Sequence, residues 1–234
     1  LSSRRLSHTA PIARLSPVTS LASSSISILQ LRLASMMRIA AVLALLGTAQ
    51  ALRVAPKKVL IIGGTRFSGA YLWKELVDRR HQVTLYNRGK TAPTPVPGES
   101  ADQFQRRLAT TSLIVGDRKV PQELMEKIGA YSFDVCYDMN GREASDTEPL
   151  VEALKKGSPR LQHFVYMSSA GVYKKSEQMP HKEGDEVDYS SRHKGKLETE
   201  EMLAKSGMPW TSIRPTYIYG AGNYNPLEQY FFER

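Results

Sequence analysis

Val59-Leu60-Ile61-Ile62-Gly63-Gly64-Thr65-Arg66-Phe67-Ser68-Gly69 is the stretch that decides the fold. Its first four residues are an apolar run of β-branched residues and leucine, suited to a parallel strand buried on both faces. A glycine-rich turn follows. After it, a helical pattern puts Leu72, Leu76 and Val77 on one face and Lys74, Asp78 and Arg79 on the other. Strand, turn and helix in that order suit a dinucleotide. Glycine lets the backbone turn tightly and approach a pyrophosphate, which then sits against the N-terminal N–H groups of the helix. Gly63, Gly64, Thr65, Arg66, Phe67 and Gly69 are the candidates for that contact. A tight strand-to-helix turn without a ligand is the other reading of the same residues.

The stretches around it keep the same rhythm. Strands are expected at Gln82 to Asn87, Ser112 to Val115, Phe133 to Tyr137, His163 to Met167 and Trp210 to Ile213. Helices are expected at Pro121 to Ile128, Thr147 to Lys156 and Arg192 to Lys205, with Lys90 to Thr110 a long loop holding one short helix. Alternating strands and helices imply an α/β fold, a Rossmann-type doubly wound parallel sheet with helices on both faces. At the end of the second strand, an NAD site usually carries an acid for the ribose 2′-hydroxyl. Here Asn87 and Arg88 stand there, and a cation beside that ribose favours a 2′-phosphate. NADP is therefore expected ahead of NAD, although Arg88 also reads as a solvated strand end. Asp117, after the third strand, is placed to receive an adenine amino group or to cap a helix.

The 32 basic and 23 acidic residues give a formal net charge of +9. Every acid lies after Lys58, whereas eight bases lie at or before it, so the basicity belongs mostly to the N-terminal leader. A nearly neutral body gives no global support for nucleic-acid binding. Cys136, the single cysteine, sits in an apolar run and reads as a core filler; it excludes an intrachain disulfide. No compact metal-ligand cluster is evident, and scattered acids could still hold Mg²⁺. The leader, residues 1–56, is rich in Ser and Arg. Met36-Met37-Arg38 opens a short apolar run, Ile39 to Leu46, ending at Ala49-Gln50-Ala51, which reads as a cleavage site. The run is too short for a stable membrane anchor. Either translation starts at Met36 or Met37, or a transit-like peptide precedes a second signal. Both predict a cleaved leader and entry into an organelle or the secretory route.

Phe164-Val165-Tyr166-Met167-Ser168-Ser169-Ala170-Gly171-Val172-Tyr173 resembles the strand and turn of extended short-chain dehydrogenases such as the sugar-nucleotide epimerases. In that family, the residue matching Ser169 binds the substrate hydroxyl being oxidised. The family's three-glycine fingerprint has a glycine where this chain has Arg66. Its acid/base pair is Tyr-x-x-x-Lys, with both side chains on one helix face and the ammonium lowering the phenol's pKa. Here Lys196 matches the lysine, but Arg192 stands in place of the tyrosine, and a guanidinium cannot act as a base at neutral pH.

A closer resemblance lies in the combination of Gly63-Gly64-Thr65-Arg66-Phe67 and Tyr137-Asp138-Met139-Asn140-Gly141-Arg142-Glu143-Ala144 with Ser191-Arg192-His193-Lys194-Gly195-Lys196 and Asn223-Tyr224-Asn225-Pro226. Together they resemble the chloroplast stem-loop-binding proteins, atypical short-chain dehydrogenases of plastids. The similarity runs from about Lys57 to Arg234. It implies a plastid location, association with plastid RNA and ribosomes and, for some members, endoribonuclease activity. It also implies that the NAD(P)-binding domain, residues 57–234, is followed in the family by a C-terminal substrate-side region, so that the sequence is either a fragment or has lost that region.

Three functions remain open on the sequence. One is a plastid RNA-associated protein, with Arg192, His193, Lys194 and Lys196 neutralising phosphates and Tyr173 or Tyr189 stacking on bases. If it cleaves RNA, Ser169, His193 and Lys196 are the candidate catalytic residues, His193 moving a proton and Lys196 stabilising a phosphorane. The second is an NAD(P)-dependent nucleotide-sugar epimerase, dehydratase or reductase. The third is a cofactor sensor or scaffold without catalysis. The oligomeric state is open.

Overall fold

The computed structural model describes residues 55–223. The expected leader and its cleavage site, apart from Ala55 and Pro56, lie outside these residues, as do Tyr224, Asn225 and Pro226.

Six parallel strands form one sheet in the order β3-β2-β1-β4-β5-β6. They are β1 (Lys58–Ile62), β2 (Gln82–Asn87), β3 (Ser112–Val115), β4 (Val135–Asp138), β5 (His163–Met167) and β6 (Trp210–Ile213). The helices between them are α1 (Phe67–Asp78), α2 (Ala101–Ala109), α3 (Pro121–Gly129), α4 (Ala144–Gly157) and α5 (Lys194–Lys205). The strand order reverses at β1, which opens a crevice at the carboxyl ends of β1 and β4 where such folds bind ligands.

The central strand shows why the sheet is covered on both sides. Leu60 and Ile62 face one core with Leu124 and Ile128 of α3, Leu150 and Leu154 of α4, and Leu203 of α5. Val59 and Ile61 face the other, with Trp73 and Leu76 of α1 and Val83 and Leu85 of β2. Cys136 lies fully buried in the first core, as its apolar setting predicts; burial pushes its thiol well above the usual range.

Several elements differ from expectation. Trp73, not Leu72 or Val77, is the deepest residue of α1, its ring held between the sheet and the Arg107 guanidinium 3.9 Å away. β4 begins at Val135; Phe133 fills the core from the preceding loop, where its N–H donates to Ser158 Oγ. The long loop carries one short helix as expected, α2, opened by a capping box between Ser100 and Gln103. α5 starts at Lys194 rather than Arg192, because Ser191 Oγ takes the His193 N–H and leaves Arg192 ahead of the helix.

Candidate functional site

The crevice is an open cleft of about 770 Å³ at the carboxyl ends of β1 to β4. Its floor is the turn after β1. Gly63 takes φ +86°, which L-residues with a Cβ rarely adopt. A Cβ on Gly69 would stand 2.6 Å from the Gly63 carbonyl oxygen, so α1 can approach the turn this closely only with glycine there. Arg66 occupies extended backbone (φ −132°, ψ 148°), which any residue adopts; its side chain is exposed at the cleft. The first hydrogen-bonded amides of α1, Gly69 and Ala70, both turn back to the Arg66 carbonyl. The N–H groups ahead of them, at Phe67 and Ser68, have no acceptor within the helix. α1 has no side-chain cap and no acid in its first turn, the arrangement that receives an anion.

Of the nine expected cofactor residues, all except Gly64 line this cleft. Gly64 lies beneath it: a Cβ there would stand 2.7 Å from Leu85 Cδ2, so its smallness serves packing of the turn on β2. Asn87 Oδ1 accepts from the Gly89 N–H (2.9 Å), and Arg88 beside it is exposed without a carboxylate partner. Asp117 Oδ1 accepts from the Lys119 N–H (3.0 Å), while the N-cap position of α3 belongs to Val120. Asp117 therefore braces its own turn rather than capping a helix.

Behind the cleft lies a buried network with no role assigned from sequence. Arg118 holds Asp138 with two parallel hydrogen bonds, 2.7 and 2.9 Å long, and also donates to Asn140 Oδ1 and the Asp146 carbonyl. Thr147 Oγ1 and the N–H groups of Asn140 and Gly141 complete the donors to Asp138, which has no solvent exposure. Burial by itself would raise the Asp138 pKa, but the Arg118 charge and these donors hold it below the usual carboxylate range. Asn140 in turn packs on Gly63, so the network fixes the β1 turn against the ends of β3 and β4. Its members appear in the sequence only as Gly116-Asp117-Arg118 and Tyr137-Asp138-Met139-Asn140. The fold alone shows that they meet.

The three candidate catalytic residues lie at the β5 turn and the start of α5. Ser169 Oγ accepts from the Gly171 N–H (3.1 Å), capping a 3-10 turn. His193 packs its ring on Gly171, and its Nε2 accepts from Arg192 Nε at 3.1 Å. Burial, then the Arg192 and Lys196 charges, lowers the His193 pKa, so the ring is neutral at pH 7 with its lone pair engaged. Lys196 Nζ donates to the main-chain carbonyls of Gly141 and Met167, 5.0 Å from the Tyr166 ring centroid. Burial lowers its pKa to about 8. Among the described residues, no tyrosine takes the place lost at Arg192. Tyr166 donates to the Gly141 carbonyl, and burial raises its pKa. Tyr189 bonds Glu201, while Tyr173 lies between His181 and Arg214. The expected basic segment is thinner than its sequence: Lys194 is paired with Glu198 and Lys196 faces carbonyls, leaving Arg192.

The cleft, its turn and the order of its strands agree with what the chain resembles. A family model described as NAD(P)H-binding matches residues 63–227. The chain belongs to the NAD(P)H-binding family. Among solved structures, this NAD(P)H-binding chain is similar to the enzyme WbmH of Bordetella bronchiseptica in complex with NAD⁺. The TM-score is 0.61 at 20% identity, over 76% of this chain and 62% of that one. UDP-glucose 4-epimerase from Brucella ovis in complex with NAD gives a TM-score of 0.54 at 20% identity, over 67% and 51%. At that identity the likeness shows the fold alone, a Rossmann-type parallel sheet. A curated relative, the chloroplast stem-loop binding protein of 41 kDa b from Arabidopsis thaliana, is 52% identical over 179 residues. That match covers 76% of this chain and 46% of the relative, so the chain spans about half of that protein. Among the described residues of the NAD(P)H-binding chain, no helix is long and apolar enough to cross a membrane. No three His, Cys, Asp or Glu side chains converge on a metal there either.

Proposed function

We propose that this chain is a plastid RNA-associated protein on an epimerase-like fold that binds NADP in its cleft and does not use a tyrosine base for hydride chemistry. The observation that carries the reading is Arg192: at the position of the family's general base, it donates to His193 instead of presenting a phenol. The plastid location and a stem-loop partner are supported by the 52% identity to a chloroplast stem-loop binding protein. The residues of the cleft fit a dinucleotide. Phe67 and Ser68 N–H groups would receive the pyrophosphate, Asn87 and Arg88 the ribose and its 2′-phosphate, and Asp117 the adenine. A bound nicotinamide cofactor would supply a hydride carrier; Lys196, held by two carbonyls, would orient the Gly141 turn beside it.

The test is binding of a labelled stem-loop RNA to the full chain at about 50 and 200 mM salt, where phosphate contacts make affinity fall steeply. Salt-sensitive binding is expected. Absence of binding, with NADP bound tightly, transfers the reading to an NAD(P)-dependent nucleotide-sugar epimerase, dehydratase or reductase. Ser169 at the β5 turn and Lys196 on α5 favour that alternative. If the RNA is cleaved, His193 and Lys196 are the proposed participants, and cleavage surviving the His193→Ala, Lys196→Ala double change rejects them.

A further inference from the structure

Among the described residues, one arginine without a carboxylate partner follows each of four adjacent strands at the carboxyl edge of the sheet. In sheet order they are Arg88 after β2, Arg66 after β1, Arg142 after β4 and Arg192 after β5. Arg107, Arg118 and Arg214 are by contrast paired with Glu99, Asp138 and Glu200. Arg66, Arg88 and Arg142 line the same cleft. The Arg142 carbonyl abuts Gly195 at the start of α5, and Ser191 and His193 tie the Arg192 segment to Gly171 at the β5 turn. Neighbouring strands lie about 4.8 Å apart, so three steps across the sheet extend the row over roughly 15 Å. All four side chains are exposed.

After β6, the next strand in the order, the chain presents Tyr217 and Tyr219, 74% and 80% exposed. Tyr71 of α1 donates to the Ala221 carbonyl, so the segment carrying these rings returns across the edge of the sheet toward α1. A row of cations that ends in open aromatic faces is the surface that tracks a phosphodiester backbone and stacks unpaired bases. A duplex offers no free base faces to the tyrosines. The body after Lys58 is nearly neutral, so this concentration along one edge is local.

We propose that single-stranded RNA, such as the loop of a stem-loop, lies across the carboxyl edge of the sheet. Its phosphates meet Arg88, Arg66, Arg142 and Arg192, and its bases stack on Tyr217 and Tyr219. This rests on the RNA reading above and adds where the RNA lies and which part of it is recognised. Arg66 and Arg88 also face the cofactor site, so NADP and RNA exclude each other there. Asp117 and Glu143 line the same cleft as the row and oppose the RNA; Glu143 stands near Arg142 and Gly195.

The test measures binding of one RNA sequence to the full chain, unpaired and as a perfect duplex, across a salt series. The Arg66→Gln, Arg142→Gln, Arg192→Gln variant is expected to lose affinity at least about tenfold. It should also flatten the slope of log K against log salt by about 2, at roughly 0.7 per phosphate contact. Tyr217→Ala with Tyr219→Ala should cost at least about thirtyfold for the unpaired RNA and little for the duplex. Glu143→Gln should tighten binding, and NADP should weaken it in the wild-type chain. A control variant, Lys156→Gln, Arg160→Gln, Lys205→Gln, changes cations in the last turns of α4 and α5 and just after α4, and should leave affinity unchanged. Wild-type RNA affinity in the folded arginine variant, with loss in the control variant, overturns the edge while leaving RNA binding intact. No binding by the wild-type chain overturns both.

Discussion

At Asp138, a charge without solvent contact depends on one guanidinium, that of Arg118. Removing one member of such a pair strands the other in a poorly solvated place. Asp138→Asn should therefore destabilise the domain by about 3–5 kcal/mol in urea unfolding. A loss below about 1 kcal/mol would show that Arg118 finds another partner. Lys196 poses the opposite case, a charge made costly by burial. Its folded pKa of about 8 lies below the unfolded value of 10.5, so between these values the unfolded chain binds more protons and stability rises with pH. Compared with Lys196→Met, the wild type should gain up to about 3 kcal/mol between pH 8 and 10.5. Equal pH profiles for the two would place the ammonium in solvent. These residues were not equally legible. Lys196, Ser169 and His193 could be placed by resemblance, because each sits in a local motif. The Arg118–Asp138 pair joins two strand ends twenty residues apart, and no local spacing signals it.

The elements themselves were largely readable, because hydrophobic period and turn chemistry act locally. β1 reads as a strand from Val59-Leu60-Ile61-Ile62 alone, and the glycines after it announce the turn. Boundaries set by tertiary partners were not readable. β4 starts late because Phe133 spends its N–H on Ser158, and α5 starts late because Ser191 caps the chain ahead of it. Nor did periodicity reveal that Trp73 of α1 stacks on Arg107 of α2, which is bound to Glu99 in the preceding loop. The meeting of β1 and α1 supports a sharper prediction. Gly69→Ala would set a methyl group 2.6 Å from the Gly63 carbonyl oxygen, and this backbone contact cannot give way as a side chain can. A cost of roughly 1–3 kcal/mol is expected, together with weaker dinucleotide binding, since the turn must move. Gly184→Ala, with open space around it, should stay within about 0.5 kcal/mol of wild type. Comparable melting points and cofactor affinities for the two variants would mean that the turn tolerates the methyl group.

For the whole molecule, a parallel sheet with helices on both faces was implied by the alternation of strands and helices, but the strand order and the distribution of charge were not. A body close to neutral places Arg66, Arg88, Lys90 and Arg142 around one cleft, although they are scattered over the sequence. The choice between cofactors turns on the corner where β2 ends. Asn87 spends its side-chain oxygen on the Gly89 N–H and stands where an NAD site usually carries an acid for the ribose 2′-hydroxyl. Arg88 instead offers an unpaired guanidinium to a 2′-phosphate. A ligand at a hundred times its dissociation constant stabilises the folded chain by about 2.7 kcal/mol. In a domain of this size, that raises the melting point by roughly 5–10 °C. NADP should reach this shift at a lower concentration than NAD. Arg88→Asp should reverse the order, because the new carboxylate accepts from the 2′-hydroxyl and repels the 2′-phosphate. Equal shifts by both cofactors, unchanged in Arg88→Asp, would remove Arg88 from the ribose corner and leave the cleft indifferent to the phosphate.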